Sequence, residues 1–505
     1  MTAVRQRFEE RPFNRLWLPV ACIGLAVGLG LATALGQPAL PLAGVLMLGL
    51  AISMLVWPDT ATLTFIFALY MNVPVVAITF YGVPSLVAAA SLLLLALPFA
   101  GHVLRRQPIV IAPALPWMLL LLAGAILSAI RSASLTDAMN WISVFLTEGL
   151  LLFFLVTNVV RTPRVLVRAI WILLVAGAIM GGLSIVQETT HAYNSNFGGF
   201  SRIDGQGAVV STNPLGNDQR QPRLSGPIGE QNRFAQVLLV LVPLGIGFAV
   251  RRPRRRERLI AAAATALILA GTLLSYSRGA AVALVGVLVL MLLLRFVRLR
   301  AVIAAIAVVV VVALLVAPGF FARVASLQGL EALTSDSSGS SADGSIQGRA
   351  ALNLGAWQAF LDHPLTGVGP GLFAADYSAT YASDTGIHHF LSSSQFPAHN
   401  LYLGIAADLG MVGLLPFLAI LAVTGALLWR ERLRWSGVRD DYAYLATAML
   451  LSLAAYLGSG VFLHLAYERY FWFLVAIANA TVLVLRRERM DPESTPSGRP
   501  SSQGA

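Results

Sequence analysis

The chain has 505 residues, 57% of them hydrophobic and only 12% charged. Its mean hydropathy is +0.75; a soluble domain of this length carries about twice that charged fraction, so a soluble enzyme is excluded. The net charge of +11 rests on 35 basic residues, all of them Arg, and the single cysteine, Cys22, excludes disulfides and cysteine-based metal sites.

In chain order, apolar runs long enough to cross a hydrocarbon core of about 30 Å predict an all-α polytopic membrane protein of about 14 transmembrane helices (12–14). Spans are expected near 17–36, 39–57, 61–79, 83–100, 110–130, 141–160, 166–187, 233–250, 259–276, 280–296, 301–318, 400–428, 442–463 and 469–485. Pro74 and Pro84 interrupt the third and fourth. The N-terminus does not read as a cleavable signal: 5–15 is long and of mixed charge, and no small-residue cleavage site follows the run at 16–35.

The Arg distribution sets an expected orientation. With the N-terminus cytoplasmic, 26 Arg fall on cytoplasmic segments, among them the RRPRRRER run at 251–258. Nine fall outside: Arg131, Arg202, Arg220, Arg223, Arg233, Arg278, Arg323, Arg349 and Arg469. Every strongly basic short loop then alternates to one side, as the positive-inside rule requires. The basic clusters therefore read as topology signals, with membrane lipids as partners and no nucleic acid. Both termini are expected to be cytoplasmic.

The expected organisation follows. Residues 1–187 hold helices one to seven and 188–232 an external loop. Residues 233–318 hold helices eight to eleven, 319–399 a large external (periplasmic) loop carrying short helices, 400–486 helices twelve to fourteen, and 487–505 a disordered cytoplasmic tail. Within the large loop, TSDSSGSSADGSIQG at 334–348 reads as a flexible linker. ALNLGAWQAFLDHP then reads as a helix with an apolar stripe of Ala350, Leu354, Trp357 and Leu361, widened by Phe360. Asp362, His363 and Pro364 end it. Such a helix is expected to lie on the membrane or to cap the bundle.

Three features on the outer side carry chemistry. The first is RLSGPIGEQNRFA at 223–235, which brings Arg223, Glu230, Asn232 and Arg233 to the outer surface; its plainer reading is a solvated loop. The second is SRG at 277–279, with Arg278 at an outer helix N-terminus, where free N–H groups and a guanidinium both favour an anion. Its plainer reading is a snorkelling interfacial Arg. The third is HNLYLGIAADLGMVG at 399–413. On a continuous helix His399, Gly410 and Gly413 share one face, and the glycines admit a close partner, either another helix or a lipid tail. Its plainer reading is a capped helix with ordinary packing glycines.

Other candidates are weaker. GVGPGLF at 367–373 looks like a phosphate loop, but Pro370 removes an N–H and no Lys follows, so it reads as a turn. His388 and His389 have no acidic cluster to complete a metal set. Glu148 and Asp408 fall inside spans, where acids are costly and often functional. Asp408 lies on the helix face opposite His399 and is left out of that site.

Together the three features resemble the O-antigen ligase and polymerase family of bacterial membrane glycosyltransferases, over roughly residues 190–430. The family's ligases show His, then Asn, Ser or Gln, nine residues, Gly, two residues, Gly; here these are His399, Asn400, Gly410 and Gly413. RAALNLGAWQAFLDHPLTGVGPGLF, with Arg349, resembles the segment before that His. SRG is similar to the family's second Arg motif, and Arg223, Gly226, Asn232 and Ala235 to its first; Gln231 departs from it, standing where Pro often precedes the Asn.

The resemblance implies transfer of a glycan from a polyprenyl diphosphate carrier to an acceptor hydroxyl, lipid- or glycan-linked, outside the cytoplasmic membrane, with inversion at the anomeric carbon. In that reading Arg223 and Arg278 hold the diphosphate, His399 orients or deprotonates the acceptor, Asn232, Asn400, Arg349, Gly410 and Gly413 support them, and no metal or cofactor is needed. Ligase and polymerase share these motifs. A polytopic flippase of lipid-linked oligosaccharide is the alternative. It needs polar residues along a path through the membrane, whereas here they gather at the outer interface.

Overall fold

The computed structural model describes residues 58–85, 90–211, 219–316, 344–385, 396–465 and 468–490. The expected spans at 17–36 and 39–57, Cys22, His388, His389, most of the linker at 334–348 and the tail after Met490 lie outside these residues.

Helices dominate. α1 (Pro58–Tyr70) and α2 (Val73–Tyr81) form a pair bent by 58°. α3 (Leu93–Leu104) and α4 (Leu115–Ile130) are short and apolar. α5 (Leu135–Val159) and α6 (Pro163–Thr189) follow, then α7 (Gln231–Arg251), α8 (Arg255–Leu274), α9 (Arg278–Leu293) and α10 (Leu299–Val316). After α11 (Gly344–Asp362) and α12 (Ser378–Ser383) come α13 (Leu401–Trp435), α14 (Asp440–Ser459) and α15 (Glu468–Met490).

Among the described residues, seven helices are long and apolar enough to cross a membrane, or eight if the bent pair is one span. The chain is thus a helical, multi-pass membrane protein. The expectation of purely helical structure needs one correction. The first loop folds back as an antiparallel pair, β1 (Arg202–Ser211) on β2 (Gln219–Gly226), with Arg202 opposite Gly226 and Asp204 opposite Arg223. α11 also starts at Gly344, so the end of the supposed linker is helical.

Local signals start the helices that matter. Thr162 caps α6, accepting from Val165 N at 3.3 Å, with Pro163 at the first helical position. Glu230, Ser277 and Asn400 cap α7, α9 and α13, each through a side-chain oxygen that accepts from the first turn. Each of the three motifs therefore contains the cap that starts its own helix.

Among the described candidate spans α15 is the most enclosed. Phe471 packs edge-on to Trp472, with Phe417 beside Phe471 at 5.6 Å and Phe145 against Trp472 at 5.1 Å between ring centroids. Aromatic surface inside the bundle supplies packing where lipid offers no hydrophobic drive. α6 and α8 cross closely: a Cβ on Gly181 would stand 2.1 Å from the Leu267 carbonyl oxygen. On α11 the buried face is Ala351, Leu352, Ala356 and Ala359, while Leu354, Trp357 and Leu361 point outwards.

Candidate active site

Four segments far apart in sequence meet at one end of the bundle. The meeting point is the turn at 460–465, between α14 and α15. Leu401 N donates to Gly460 O at 2.8 Å, and Asn400 Nδ2 to Val461 O at 3.2 Å. A Cβ on Gly279 would stand 3.0 Å from the Phe462 Cβ, so the SRG turn lies directly against this segment. Arg233 donates from its guanidinium to the His464 carbonyl oxygen. The turn thus ties together the starts of α7, α9 and α13.

The first motif is not a solvated loop. Arg223, Asn232 and Arg233 are 7%, 9% and 1% exposed. Arg223 sits on β2, and its strand position lets Nε reach Ser275 O at 2.9 Å while a terminal nitrogen reaches Asn232 Oδ1 at 3.0 Å. Glu230 holds the other side of Asn232, accepting from its backbone N and from Nδ2, both at 2.9 Å. Arg223 is therefore fixed to the residues that lead into Arg278. Arg278 opens α9 and is 9% exposed, with Ser277 as its cap.

His399 lies just before α13. Asn400 accepts from Tyr402 N and Leu403 N at 2.9 and 3.0 Å, so it fixes the helix start and with it the position of His399. The His399 and His464 rings stand edge to face, 6.0 Å between centroids. The Nδ1 atoms of both are buried and have no hydrogen-bond partner among the described residues. Burial, then the charges of Arg349 on α11 and Arg233 on α7, push His399 down to about 4. Burial, Arg233 and His399 hold His464 well below the ordinary histidine range. Both imidazoles are neutral at physiological pH and stand among cations, an arrangement suited to accepting a proton or hydrogen bond beside a bound anion.

Gly410 and Gly413 need a correction. α13 is not continuous: Gly410 has φ 59° and ψ −156°, outside helical space, so a wheel drawn through His399 and Gly413 does not apply. Opening the helix there leaves two carbonyls and two N–H groups, and the turn at 364–369 takes all four. Val368 N donates to Ala407 O and Gly369 N to Asp408 O, both at 2.9 Å; Met411 N donates to Pro364 O at 2.9 Å and Val412 N to Leu365 O at 3.1 Å. The close partner of Gly410 is this turn, neither a helix nor a lipid tail. GVGPGLF is a turn as expected, with positive φ at Gly367, Gly369 and Gly371. Gly413 packs under its own Leu409 side chain, where a Cβ would meet the Leu409 Cβ at 2.2 Å.

Gly410→Ala should destabilise the protein strongly. An L-residue at this backbone conformation costs about 1–3 kcal/mol, and the new Cβ would lie 2.5 Å from the Leu365 carbonyl carbon. A clear drop in melting temperature of the purified protein is the expected result; an unchanged one would mean the turn does not grip α13 as described.

The two flagged acids resolve differently. Glu148 pairs with Arg469 at 2.9 Å, and Arg469 also donates to Asn72 Oδ1 at 2.9 Å; this ion pair joins α5 to α15. Asp408 accepts from Phe373 N at 3.0 Å and so holds the end of the glycine turn. It also lines a cavity of about 270 Å³ with His464 and Glu468. Sequence reasoning missed His464 altogether and read Arg233 as surface. The one available signal was a lone His in the short segment before α15. Residues 263–418 match the family model described as O-antigen ligase. This stretch includes Arg278, Arg349, His399, Asn400, Gly410 and Gly413, and it leaves Arg223, Asn232 and His464 outside. No curated protein matches the chain.

Proposed function

We propose that the chain, whose residues 263–418 match the family model described as O-antigen ligase, transfers a glycan from a polyprenyl diphosphate to an acceptor hydroxyl at the outer face of the cytoplasmic membrane. The observation that carries the reading is a neutral His399, its Nδ1 unpartnered among the described residues, set beside Arg233 and Arg349. Arg223 and Arg278 hold the diphosphate and stabilise the charge that grows on it as the sugar leaves. His399 accepts the acceptor's hydrogen bond and directs its oxygen at the anomeric carbon. Asn232 and Asn400 position the first Arg and the His, and Arg349 keeps His399 neutral. Inversion follows from a single displacement, with the Arg side chains in the place of a metal.

The reading is tested by transfer with purified full-length protein, using the lipid-linked glycan pool extracted from host membranes. Absence of any glycan transfer, alongside intact flipping of the same lipid, would overturn it in favour of a transporter. The pH profile is a sharper check. Because His399 titrates at about 4, kcat/KM should stay flat between about pH 6 and 8 and fall only as protonation removes the acceptor lone pair below that range. A midpoint near the ordinary histidine value of about 6.5 would show that His399 is not held as described.

Sidedness has its own test. His363 is exposed at the end of α11. In a Cys22→Ala background, His363→Cys should react with an impermeant thiol reagent on intact cells. Labelling only after lysis would place the site on the wrong side for this chemistry.

A further inference from the structure

If the chain performs the transfer proposed above, one proton must leave the site in each turnover. The acceptor O–H bond breaks as its oxygen bonds the anomeric carbon, and the bond from that carbon to the diphosphate breaks with its electron pair leaving on phosphate oxygen. The proton passes first to His399, but a cationic His399 is poorly tolerated there, beside Arg233 and Arg349 in a buried setting. His464, buried beside the same Arg233, cannot keep it either, so the proton must pass through to a carboxylate or to water.

His464 stands between His399 and a cavity. On one side its ring meets that of His399 at 6.0 Å between centroids. This is beyond direct hydrogen-bond reach and suits one bridging water. On the other side it lines the cavity of about 270 Å³, together with Asp408 and Glu468. Such a volume holds several waters. The charged and titratable groups around His464 are few: Arg233, bound to its carbonyl oxygen, His399, and the two cavity acids. Glu468 is fixed by Trp472 Nε1, which donates to it at 3.2 Å. His464 Nδ1 is buried and has no partner among the described residues, a costly state for a ring atom with no purpose.

We propose that His464 is a relay residue acting through His399: it takes the acceptor's proton by way of water and hands it to the cavity lined by Asp408 and Glu468.

The test uses the full-length protein in nanodiscs with the lipid-linked glycan pool extracted from host membranes. The Arg233 contact is to the main-chain oxygen of His464, so a side-chain change leaves that tie in place. His464→Gln should lower kcat by about 10- to 10²-fold with KM and melting temperature little changed. Added imidazole should restore much of the rate in His464→Ala without raising its melting temperature, whereas a packing rescue would raise both. Combining His464→Gln with Glu468→Gln should cost no more than the worse single change, as expected of two groups on one path. A kcat within twofold of wild type for His464→Gln, or a loss that follows melting temperature and resists imidazole, would overturn the relay while leaving the transfer reaction standing. A wild-type rate for His399→Ala would instead remove the reading on which the relay rests, and the relay with it.

Discussion

His399→Ala should lower glycan transfer by about 10²–10⁴-fold, the range for loss of a positioned acid–base group. Folding should survive. The residue precedes α13, Asn400 supplies the cap, and Leu401 N supplies the tie to Gly460 O; none of these uses the His399 side chain. Donor-lipid binding should survive as well, because the diphosphate is assigned to Arg223 and Arg278. The measurement is single-turnover transfer beside donor binding and a melting curve. Near-wild-type turnover would reduce His399 to a packing residue.

Arg278→Ala should cost about 10²–10³-fold in kcat, the scale of losing one preorganised group at a developing charge. Arg278→Lys should recover only part of this, since an ammonium keeps the charge and loses the fork that grips two phosphate oxygens. Arg223 should behave differently. Two of its nitrogens already hold Ser275 O and Asn232 Oδ1, so Arg223→Lys breaks a scaffold as well as a phosphate contact and should lower stability together with rate. If Arg side chains do the work of a divalent cation, activity persists in excess EDTA. Abolition by EDTA with recovery on adding Mg²⁺ would show that the clamp is wrongly assigned.

Much of this could be read from the residues, because transmembrane helices and their caps are local. The apolar runs and the grouping of SRG with the His motif needed no tertiary information. The failures share one cause. Arg223, Asn232 and Arg233 looked solvated because their partners lie at Ser275 and His464; the Arg233 bond spans 231 residues of sequence. The pairing of β1 with β2 was hidden by a Gly-rich, polar stretch with little β-propensity. The break at Gly410 is imposed by hydrogen bonds from 364–369, so a helical wheel drawn on 399–413 alone had no means of detecting it. His464 carries no motif, and only its neighbours reveal it.

The turn at 460–465 also sets a schedule. It is made last among the segments of the site. Until it leaves the ribosome and its helices insert, the starts of α7, α9 and α13 have no common anchor, and Arg233 has no carbonyl to hold. If the chain acts as proposed, a partly synthesised copy can therefore sit in the membrane without acting on its donor. On the function proposed above, competence arrives only with the hairpin of α14 and α15, which carries the anchor for all three helix starts.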